Sequence, residues 1–567
     1  MAAQADQEAV SAVAPEAGIF AALDPVDFGA AIAATLWRAS QNPAGMSAAL
    51  GRFASALTRI GPDLLRRTPG LAGSAAGKPA PAPADKRFAD PAWEGNPVFF
   101  ALRQAYLATC RLAEDLVAAG SHDPVADLKA QLVTEFVLDA AAPTNFLATN
   151  PAALKKAFET GGASVAAGAR NFLDDLRSNG GWPRQVDAAS FEVGRNLAVS
   201  PGKVVFRNEL MELIQYAPQT PRVRAVPLLA SPPWINKYYI MDLSPGRSFI
   251  EWAVTHGRTV FAISYRNPDS SMRDVSLDDY LISGPRTALD VVADITGSAK
   301  IDLAGLCLGG ALTAMLAAYL AAVGDDRIGS ITLINTLLDY SEPGVLGAFT
   351  DERTVARLER QMRQRGYLGG TQMGTTFDVL RPNDLIFSYL VTNWLMGQRP
   401  PAFDILAWNA DHTRMPARMH AFYLRSLYLR NELARGEMEL AGQQLQLPKV
   451  TSDVYVIGAV NDHIVPWEAS YKAAGLLGGT VRYVLSSGGH IAGIVNPPSP
   501  KAWYEAAGGS PATAAGWRSL ATRHQGSWWE DWARWSGKRA GPHQPPPPLG
   551  SARYPAQGDA PGDYVRG

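Results

Sequence analysis

The feature that most constrains the fold is a regular alternation of short apolar runs and longer helical stretches that starts near Val204. The successive segments lie at 226–230, 259–265, 278–295, 300–304, 311–323 and 330–335. The third and fifth have helical spacing, and the others have strand character. Strands joined by helices in this way are typical of a parallel sheet with right-handed crossovers. The sequence therefore predicts an open α/β domain.

The alternation stops after 330–335 and resumes only with strand-like runs at 454–458 and 481–485. Between them, residues 341–448 are helical and irregular, and they are rich in Arg, Trp, Tyr and Met. Insertions of this kind commonly cover the active-site edge of an α/β domain. We expect a catalytic domain over 201–540 with a lid inserted at 341–448.

The remaining segments differ from this domain in composition. Residues 1–85 are rich in Ala and include, at 73–84, small residues and prolines that are typical of a linker. Residues 86–200 carry apolar side chains along one helical face, which predicts a helical N-terminal domain. The Pro- and Gly-rich tail over 541–567 is expected to be extended or disordered.

Three indoles near the end of the chain share one predicted helix face, because Trp528, Trp532 and Trp535 are spaced i, i+4 and i+7. One interpretation is a terminal helix that packs on the core. The other is an apolar surface that meets a hydrophobic phase. The sequence leaves both interpretations open.

Composition excludes several classes of function. The 567 residues contain 52 basic and 53 acidic side chains, so the net charge of −1 indicates no general nucleic-acid-binding surface. Two cysteines, Cys110 and Cys307, are too few for a disulfide framework or a Cys-rich zinc site. Residues 1–15 lack the features of a signal peptide, and the longest apolar run, 311–323, is too short to span a membrane. We expect a cytoplasmic, soluble enzyme with no metal site.

Chemistry is indicated by the segment Gly305-Leu306-Cys307-Leu308-Gly309. It has the G-x-nucleophile-x-G spacing of a nucleophile elbow and lies between a strand and a helix, as this motif requires. Small flanking residues let the backbones approach each other at the strained turn. The helix N-terminus beyond the turn favours a thiolate and offers N–H groups to a developing oxyanion. We predict that Cys307 is the nucleophile.

Two other interpretations of this segment explain it less well. A dinucleotide-binding turn requires glycine where Cys307 stands, and Asp325 precedes a strand instead of ending one. A structural, buried cysteine is the plain alternative, because free Cys is among the most buried residue types. Cys110 has no strand–helix context, and we expect it to lie in a core.

A nucleophile elbow requires an acid and then a histidine further along the chain. Asp462 follows the strand-like run at 454–458, and His490 follows the next run, 28 residues later. Because parallel strands end at the same edge of a sheet, both side chains are expected beside Cys307. His463 is the competing histidine, but its place next to Asp462 in the loop directs it elsewhere.

The loop after the strand-like run at 226–230 reads SPPWINKYY. In a hydrolase-like sheet this loop supplies the second oxyanion donor. We predict that the backbone N–H of Ile235 or Asn236 acts beside that of Leu308. Aromatic lid residues, among them Phe387 and Trp408, are expected to form an apolar substrate pocket together with Asn236. Ordinary packing inside the lid is the alternative for these aromatics.

Seven long motifs occur in the order in which polyhydroxyalkanoate synthases carry them. Along the chain they are PPWINKYYIMDL, SYRNPDSSM, GLCLGG, LRPNDLIFSYLV, NDHIVPW, GGHIAGIVNPP and GSWWEDW. Over residues 90–535 the chain resembles this family, in particular its single-subunit class I, and an α/β-hydrolase fold is implied. Leu306 departs from the pattern, because many short-chain synthases carry an aromatic residue there, and this leaves the subclass open.

The resemblance implies that Cys307 holds the growing polyester as a thioester and that His490 activates its thiol. It also implies that Asp462 helps to activate the 3-hydroxyl of the incoming unit. A standard triad, in which Asp462 only orients His490, is the alternative.

The resemblance further implies a homodimer at the surface of a polyester granule in the cytoplasm. The substrate is then a 3-hydroxyacyl-coenzyme A, the product is poly-3-hydroxybutyrate or a related polyester, and no separate cofactor is needed. A thioesterase or hydrolase with the same three residues is the main competing function. A non-catalytic coat protein of the granule is a second, but the complete set Cys307, Asp462 and His490 argues against it.

Overall fold

The chain folds into two compact units, seen in a computed structural model that describes residues 25–67 and 85–567. The first unit comprises Met1–Asp187 together with Thr371–Pro401. The second comprises Ala188–Gly370 and Ala402–Gly567. The linker predicted at 73–84 and the first 24 residues lie outside the described residues.

The first unit is helical, as the apolar faces in its sequence predict. Its labelled helices are α1 Pro25–Ser40, α2 Pro43–Arg67, α3 Ala92–Gly95, α4 Pro97–Ala119, α5 Pro124–Ala140, α6 Pro151–Glu159 and α7 Ala163–Ser178. Proline at the first position pre-forms several of these helices, and Asn96 caps α4 by accepting from the N–H of Val98 at 2.9 Å. Cys110, which we expected in a core, packs against the cluster of Phe88, Trp93, Tyr106 and Ala142.

Part of the predicted lid belongs to this helical unit. Residues 371–401 contain most of a helix, Gly370–Val379, and two π-helical segments, Asn383–Phe387 and Leu390–Leu395. The indole of Trp394 donates to Asp175 at 2.8 Å, and its ring lies 5.0 Å from that of Phe172. The insertion at 341–448 is therefore divided between the two units.

The second unit contains the predicted sheet. Its strands are β1 Gly202–Arg207, β2 Met211–Tyr216, β3 Val223–Arg224, β4 Leu228–Ser231, β5 Val260–Tyr265, β6 Ile301–Leu306, β7 Ile328–Ile334, β8 Tyr367–Leu368, β9 Met415–Pro416, β10 Glu439–Leu440, β11 Gln443–Gln444, β12 Asp453–Ala459, β13 Val481–Ser486, β14 Trp503–Ala506, β15 Thr522–Gln525, β16 His543–Gln544 and β17 Gly558–Asp559. The main sheet has the order β15-β14-β13-β12-β7-β6-β4-β5-β2-β1-β17. The six strands from β13 to β5 are parallel, and the others are antiparallel.

Thirteen helices accompany the described strands, and those within 277–296 and 308–323 lie where the alternation predicts them. The thirteen are α8 Phe249–Thr255, α9 Leu277–Leu281, α10 Thr287–Thr296, α11 Leu308–Val323, α12 Glu352–Arg365, α13 Asp404–Ala410, α14 Ala417–Tyr423, α15 Glu432–Arg435, α16 Trp467–Tyr471, α17 Ala473–Leu476, α18 His490–Ile494, α19 Ala514–Leu520 and α20 Trp528–Gly537. The single helix predicted at 278–295 is interrupted by a π-helical turn between α9 and α10. Pro285 lies in this turn, and because proline has no N–H it cannot continue the regular helix.

The C-terminal segments are ordered parts of the second unit. Trp528, Trp532 and Trp535 on α20 are at most 9% exposed, so the interpretation as a helix packed on the core is correct. The sequence predicts that the tail is either extended or disordered. It is ordered and includes two short extended segments, because β17 pairs with β1 and β16 pairs with β3. Backbone hydrogen bonds to existing strands fix a chain that has little apolar side-chain area of its own.

Candidate active site

Cys307 lies on the sharp turn between β6 and α11. Its backbone has φ 52° and ψ −117°, a combination that non-glycine residues rarely adopt and that the surrounding structure must enforce. The Cys307 N–H donates to the carbonyl of Ile334 at 2.8 Å, which ties the turn to the end of β7. The side chain is partly exposed, so the sulfur is accessible to a reactant.

Three glycines make this turn possible. A Cβ on Gly305 would lie 2.5 Å from the Cα of Gly310, and one on Gly310 would lie 1.9 Å from the hydroxyl of Thr336. A Cβ on Gly309 would lie 2.3 Å from the carbonyl oxygens of Ser231 and Pro232. The loop that follows β4 therefore touches the first turn of α11, where the sequence predicts an oxyanion site.

Asp462 and His490 are joined directly. The Nδ1 of His490 lies 2.7 Å from one carboxylate oxygen of Asp462, and both side chains are buried. The other carboxylate oxygen accepts the N–H groups of Ile464 and Val465 at 2.9 and 2.8 Å. Since a carboxylate only accepts hydrogen bonds, Nδ1 carries a proton and Nε2 is left to face a reactant. Asp462 thus bonds to His490, the histidine that the sequence favours over His463.

Cys307 lies near the imidazole of His490, because its charge is among the causes that shift the pKa of this histidine. Burial lowers the pKa of His490, but the charges of Asp462 and Cys307 and the hydrogen bond to Asp462 outweigh it and raise this pKa to about 10. The aspartate thus favours the protonated form of the imidazole, which is the form that stabilises a neighbouring thiolate. The three residues that the sequence selected lie together at the carboxyl edge of the parallel strands.

The two predicted oxyanion donors lie on neighbouring elements. Leu308 is the first residue of α11, where the N–H groups have no acceptor within the helix. Ile235 lies in the loop after β4 that touches this helix. The buried Trp408 donates its indole N–H to the carbonyl of Lys237 at 2.8 Å, and Asn236 forms a bridge with His412. Trp408 therefore anchors the loop.

Phe387 is placed differently from the other predicted substrate-binding residues. It belongs to the first unit, where it is 8% exposed and its ring lies 5.7 Å from that of Phe136. This is the environment of an ordinary core residue, which is the alternative that the sequence offered for the lid aromatics.

An aromatic cluster beside the sulfur was missed by the sequence reasoning. Tyr340 and Tyr423 are buried and Tyr428 is partly buried, and desolvation, with a smaller effect of the charge of Cys307, raises the pKa of each. The ring of Tyr428 lies 4.9 Å from that of Tyr340 and 5.5 Å from that of Tyr423, which in turn is 5.8 Å from Trp234. The place of Tyr340 just after β7, at the same sheet edge as Cys307, was the available signal.

The described part of the chain contains neither a cluster of metal ligands nor a membrane-spanning helix. Within residues 25–67 and 85–567, no three His, Cys, Asp or Glu side chains are arranged to hold a metal ion. No helix in the same ranges is long and apolar enough to cross a membrane.

A parallel sheet with a cysteine at a strand–helix elbow, followed along the chain by an aspartate and a histidine that bond to each other, defines an α/β-hydrolase-fold protein with a cysteine-centred triad. Comparison with known families agrees, because residues 243–497 match the family described as alpha/beta hydrolase fold. Residues 84–253 match the family described as the N-terminus of poly-beta-hydroxybutyrate polymerase. The fold predicted from the sequence is thus confirmed.

Similar proteins identify the family more closely. The chain is 45% identical to a poly(3-hydroxyalkanoate) polymerase of Methylorubrum extorquens over 86% of this chain and 81% of that relative. It is 41% identical to polymerase 1 of Ectopseudomonas oleovorans, over 86% of this chain and 87% of that relative. The corresponding polymerase subunit of Cupriavidus necator is also 41% identical, over 85% and 83%. The chain belongs to the poly(3-hydroxyalkanoate) polymerase family.

Proposed function

We propose that this protein is a polyester polymerase that transfers 3-hydroxyacyl groups from coenzyme A thioesters to a chain held on Cys307. Membership of the polymerase family supports this activity. The observation that carries the residue assignment is the strained elbow that presents Cys307 together with the hydrogen-bonded pair of His490 and Asp462 at the same edge of the sheet. These three are the proposed catalytic residues.

The proposed reaction has two steps. The Cys307 sulfur attacks the thioester carbonyl, the bond to the coenzyme A sulfur breaks, and coenzyme A leaves as a thiol with the proton held by His490. The hydroxyl of another 3-hydroxyacyl unit then attacks the Cys307 thioester, and an ester forms as the carbon–sulfur bond breaks. His490 takes the hydroxyl proton as the cysteine sulfur leaves. Backbone N–H groups of Leu308 and Ile235 are the proposed donors to the oxyanion in both steps.

Cysteine suits this sequence of steps better than serine does. Exchange of one thioester for another preserves the activated bond, so that ester formation with a hydroxyl remains downhill. A serine would convert the thioester into an oxygen ester before elongation. Cysteine is also the stronger nucleophile at neutral pH when it is paired with an imidazole.

The aromatic cluster supports polymerisation over hydrolysis, because an ester forms in good yield only when water is kept from the thioester. Tyr340, Tyr423 and Tyr428 offer a largely buried wall beside Cys307. Asn236 and Trp408 are the proposed contacts for the substrate or for the loop that holds it. Phe387 packs inside the first unit, which supports the alternative of ordinary packing, so no substrate contact is proposed for it. A thioesterase with the same residues is the less favoured function.

The assembly and its surroundings are part of the proposal. We propose a homodimer that acts at the surface of a polyester granule in the cytoplasm, with 3-hydroxybutyryl-coenzyme A as a substrate. Coenzyme A enters as part of the substrate, and no resident cofactor or metal is assigned. Sedimentation of the purified protein and its co-isolation with granules test these two points.

The experiment that tests the activity supplies 3-hydroxybutyryl-coenzyme A and analyses both products. We expect release of coenzyme A together with insoluble polyester, whereas free hydroxy acid would identify a hydrolase. Cys307→Ala is expected to abolish coenzyme A release while the fold persists. Cys110→Ala is the matched control, because Cys110 is partly buried against the core of the first unit, and it is expected to retain activity. Release of coenzyme A by Cys307→Ala would contradict the assignment.

A further inference from the structure

His490 lies at the start of a short helix. Helix α18 comprises only His490–Ile494, so few of its backbone N–H and carbonyl groups can bond to each other within the helix. A helix of this length is not stable on its own in water. The position of the imidazole therefore depends on groups outside α18 that bond to its backbone.

Three buried side chains supply those bonds. The side-chain amide of Asn335 donates to the carbonyl of His490 at 2.7 Å. The indole N–H of Trp528 donates to the carbonyl of Gly493 at 2.7 Å, and that of Trp529 donates to the carbonyl of Ile494 at 3.1 Å. The three donors are at most 1% exposed. Both ends of α18 are thereby held.

Asn335, Trp528 and Trp529 form a set that we call the clamp, and its Asn335 part is fixed to the sheet. Asn335 directly follows β7 with φ 44°, and its own N–H donates to the carbonyl of Ile457 in β12, the strand that leads to Asp462. Through Asn335, therefore, β7, β12 and α18 share one hydrogen-bonded frame. Trp532, on the same helix as Trp528 and Trp529, donates instead to the hydroxyl of Thr332 in β7 at 2.9 Å and lies outside the clamp.

We infer that Asn335, Trp528 and Trp529 are positioning residues that hold His490 in line with Cys307. The inference rests on the proposed role of His490 in activating the thiol. The carbonyl of Gly493 also accepts from the hydroxyl of Ser486 at 3.4 Å, and that of Ile494 also accepts from the N–H of Asn496 at 3.0 Å. The indole bonds add to these, and each has a direction that restricts where α18 can lie. A displacement of about 1 Å can reduce the rate of a positioned reaction roughly 100-fold. The Trp pair thus serves the chemistry through the backbone of α18.

Simple core packing of these tryptophans is the competing explanation, and α20 provides the control that separates the two. Trp528→Phe and Trp529→Phe each remove an N–H that bonds to α18 but keep an aromatic ring. Trp532→Phe makes the same change at an equally buried position whose N–H bonds to β7 instead. Asn335→Gly removes the amide and tolerates the positive φ, because glycine adopts φ 44° without strain.

The experiment measures kcat and KM with 3-hydroxybutyryl-coenzyme A, together with the alkylation of Cys307 by iodoacetamide across pH, quantified on the Cys307 peptide. We expect the three clamp variants to lower kcat by about 10- to 100-fold with KM within about twofold. Their alkylation should fall at pH 7 and approach the wild-type rate near pH 10, where a thiol ionises without an imidazolium. Trp532→Phe should keep the wild-type profile even if it lowers stability.

The outcomes distinguish the clamp from the proposed function. If Trp528→Phe and Trp529→Phe keep the wild-type alkylation profile, or change it no more than Trp532→Phe does, the clamp is refuted. If His490→Ala leaves the alkylation profile unchanged, the activating role of His490 fails instead. Should the indole variants lose their folded structure, Asn335→Gly decides, because an unchanged profile and kcat in that variant would also refute the clamp.

Discussion

At the scale of single residues, both carboxylate oxygens of Asp462 are occupied. One accepts from the imidazole of His490, and the other accepts from the N–H groups of Ile464 and Val465. A carboxylate engaged in this way is suited to orient the imidazole and to stabilise its protonated form. This favours the orienting role over direct activation of a substrate hydroxyl, which are the two roles that the sequence left open.

The two roles of Asp462 predict different results for Asp462→Asn. If the residue orients His490, acylation and elongation should fall together, because both steps use the same imidazole. If it activates the hydroxyl directly, acylation should survive while elongation is lost. Single-turnover release of coenzyme A measures the first step, and polymer yield measures the second. Retained acylation with little polymer would contradict the orienting role.

His420 predicts a pH dependence of stability. It is 1% exposed, its Nδ1 has no hydrogen-bond partner among the described residues, and burial lowers its pKa to about 3. The unfolded chain, with a histidine pKa of about 6.5, therefore binds a proton that the folded state does not bind between these two values. The contribution of His420 to the free energy of unfolding is fully present above pH 6.5, and it is lost as the pH falls towards 3.

We expect this effect to amount to about 2 kcal/mol at pH 5. His420→Leu should reduce the difference in the free energy of unfolding between pH 7.5 and pH 5 by that amount. Urea unfolding at the two pH values measures it. The exposed His524 provides the control, since His524→Leu should leave the difference as it is. An undiminished difference in His420→Leu would show that other groups cause the acid sensitivity.

At the scale of elements, the contact between α11 and the loop after β4 leaves no room for a side chain at Gly309. A Cβ there would lie 2.3 Å from two backbone oxygens, which cannot swing aside as a flexible side chain would. Gly309→Ala should therefore displace the loop that carries Ile235. We expect a loss of about 1–3 kcal/mol in stability and a loss of activity of more than about tenfold.

Denaturant unfolding and coenzyme A release check this prediction. Gly475→Ala is the matched control, because Gly475 lies in helix α17 and a Cβ there would have nothing within 4 Å. Alanine in a helix is favoured over glycine, so this variant should be unchanged or more stable by up to about 1 kcal/mol. Wild-type activity in Gly309→Ala would mean that the loop has no part in the reaction.

The elements also show which parts of the fold can be predicted from the sequence. The parallel strands were predictable because each is a short apolar run buried on both faces. The three proposed catalytic residues each come shortly after such a strand, and for Cys307 the G-x-C-x-G spacing was a second signal. Strand β15 was missed, because its residues are polar and exposed and it forms by pairing with β14. Asn335 and the tyrosine cluster were missed for a related reason. Their roles come from contacts across many residues of sequence, which no local pattern records.

At the scale of the whole molecule, each compact unit has its own interior. In the first, Gly168 approaches the backbone of Trp394 so closely that a Cβ would lie 1.8 Å from its carbonyl oxygen. The side chain of Asn171 also donates to the carbonyls of Asn393 and Gln398, both at 2.9 Å. The segment 371–401 is therefore an integral part of the helical unit, although about 180 residues of sequence separate it from Asp187.

This return of the chain affects how the protein is made. A ribosome releases the polypeptide from its N-terminus, so the helices up to Asp187 emerge long before the partners of Gly168 and Asn171 exist. The helical unit can reach its final packing only after residue 401 has left the exit tunnel, by which time β1 to β7 are already available for pairing. Synthesis order and folding order are consequently opposed, and a fragment cut at Asp187 would lack a piece of its own interior.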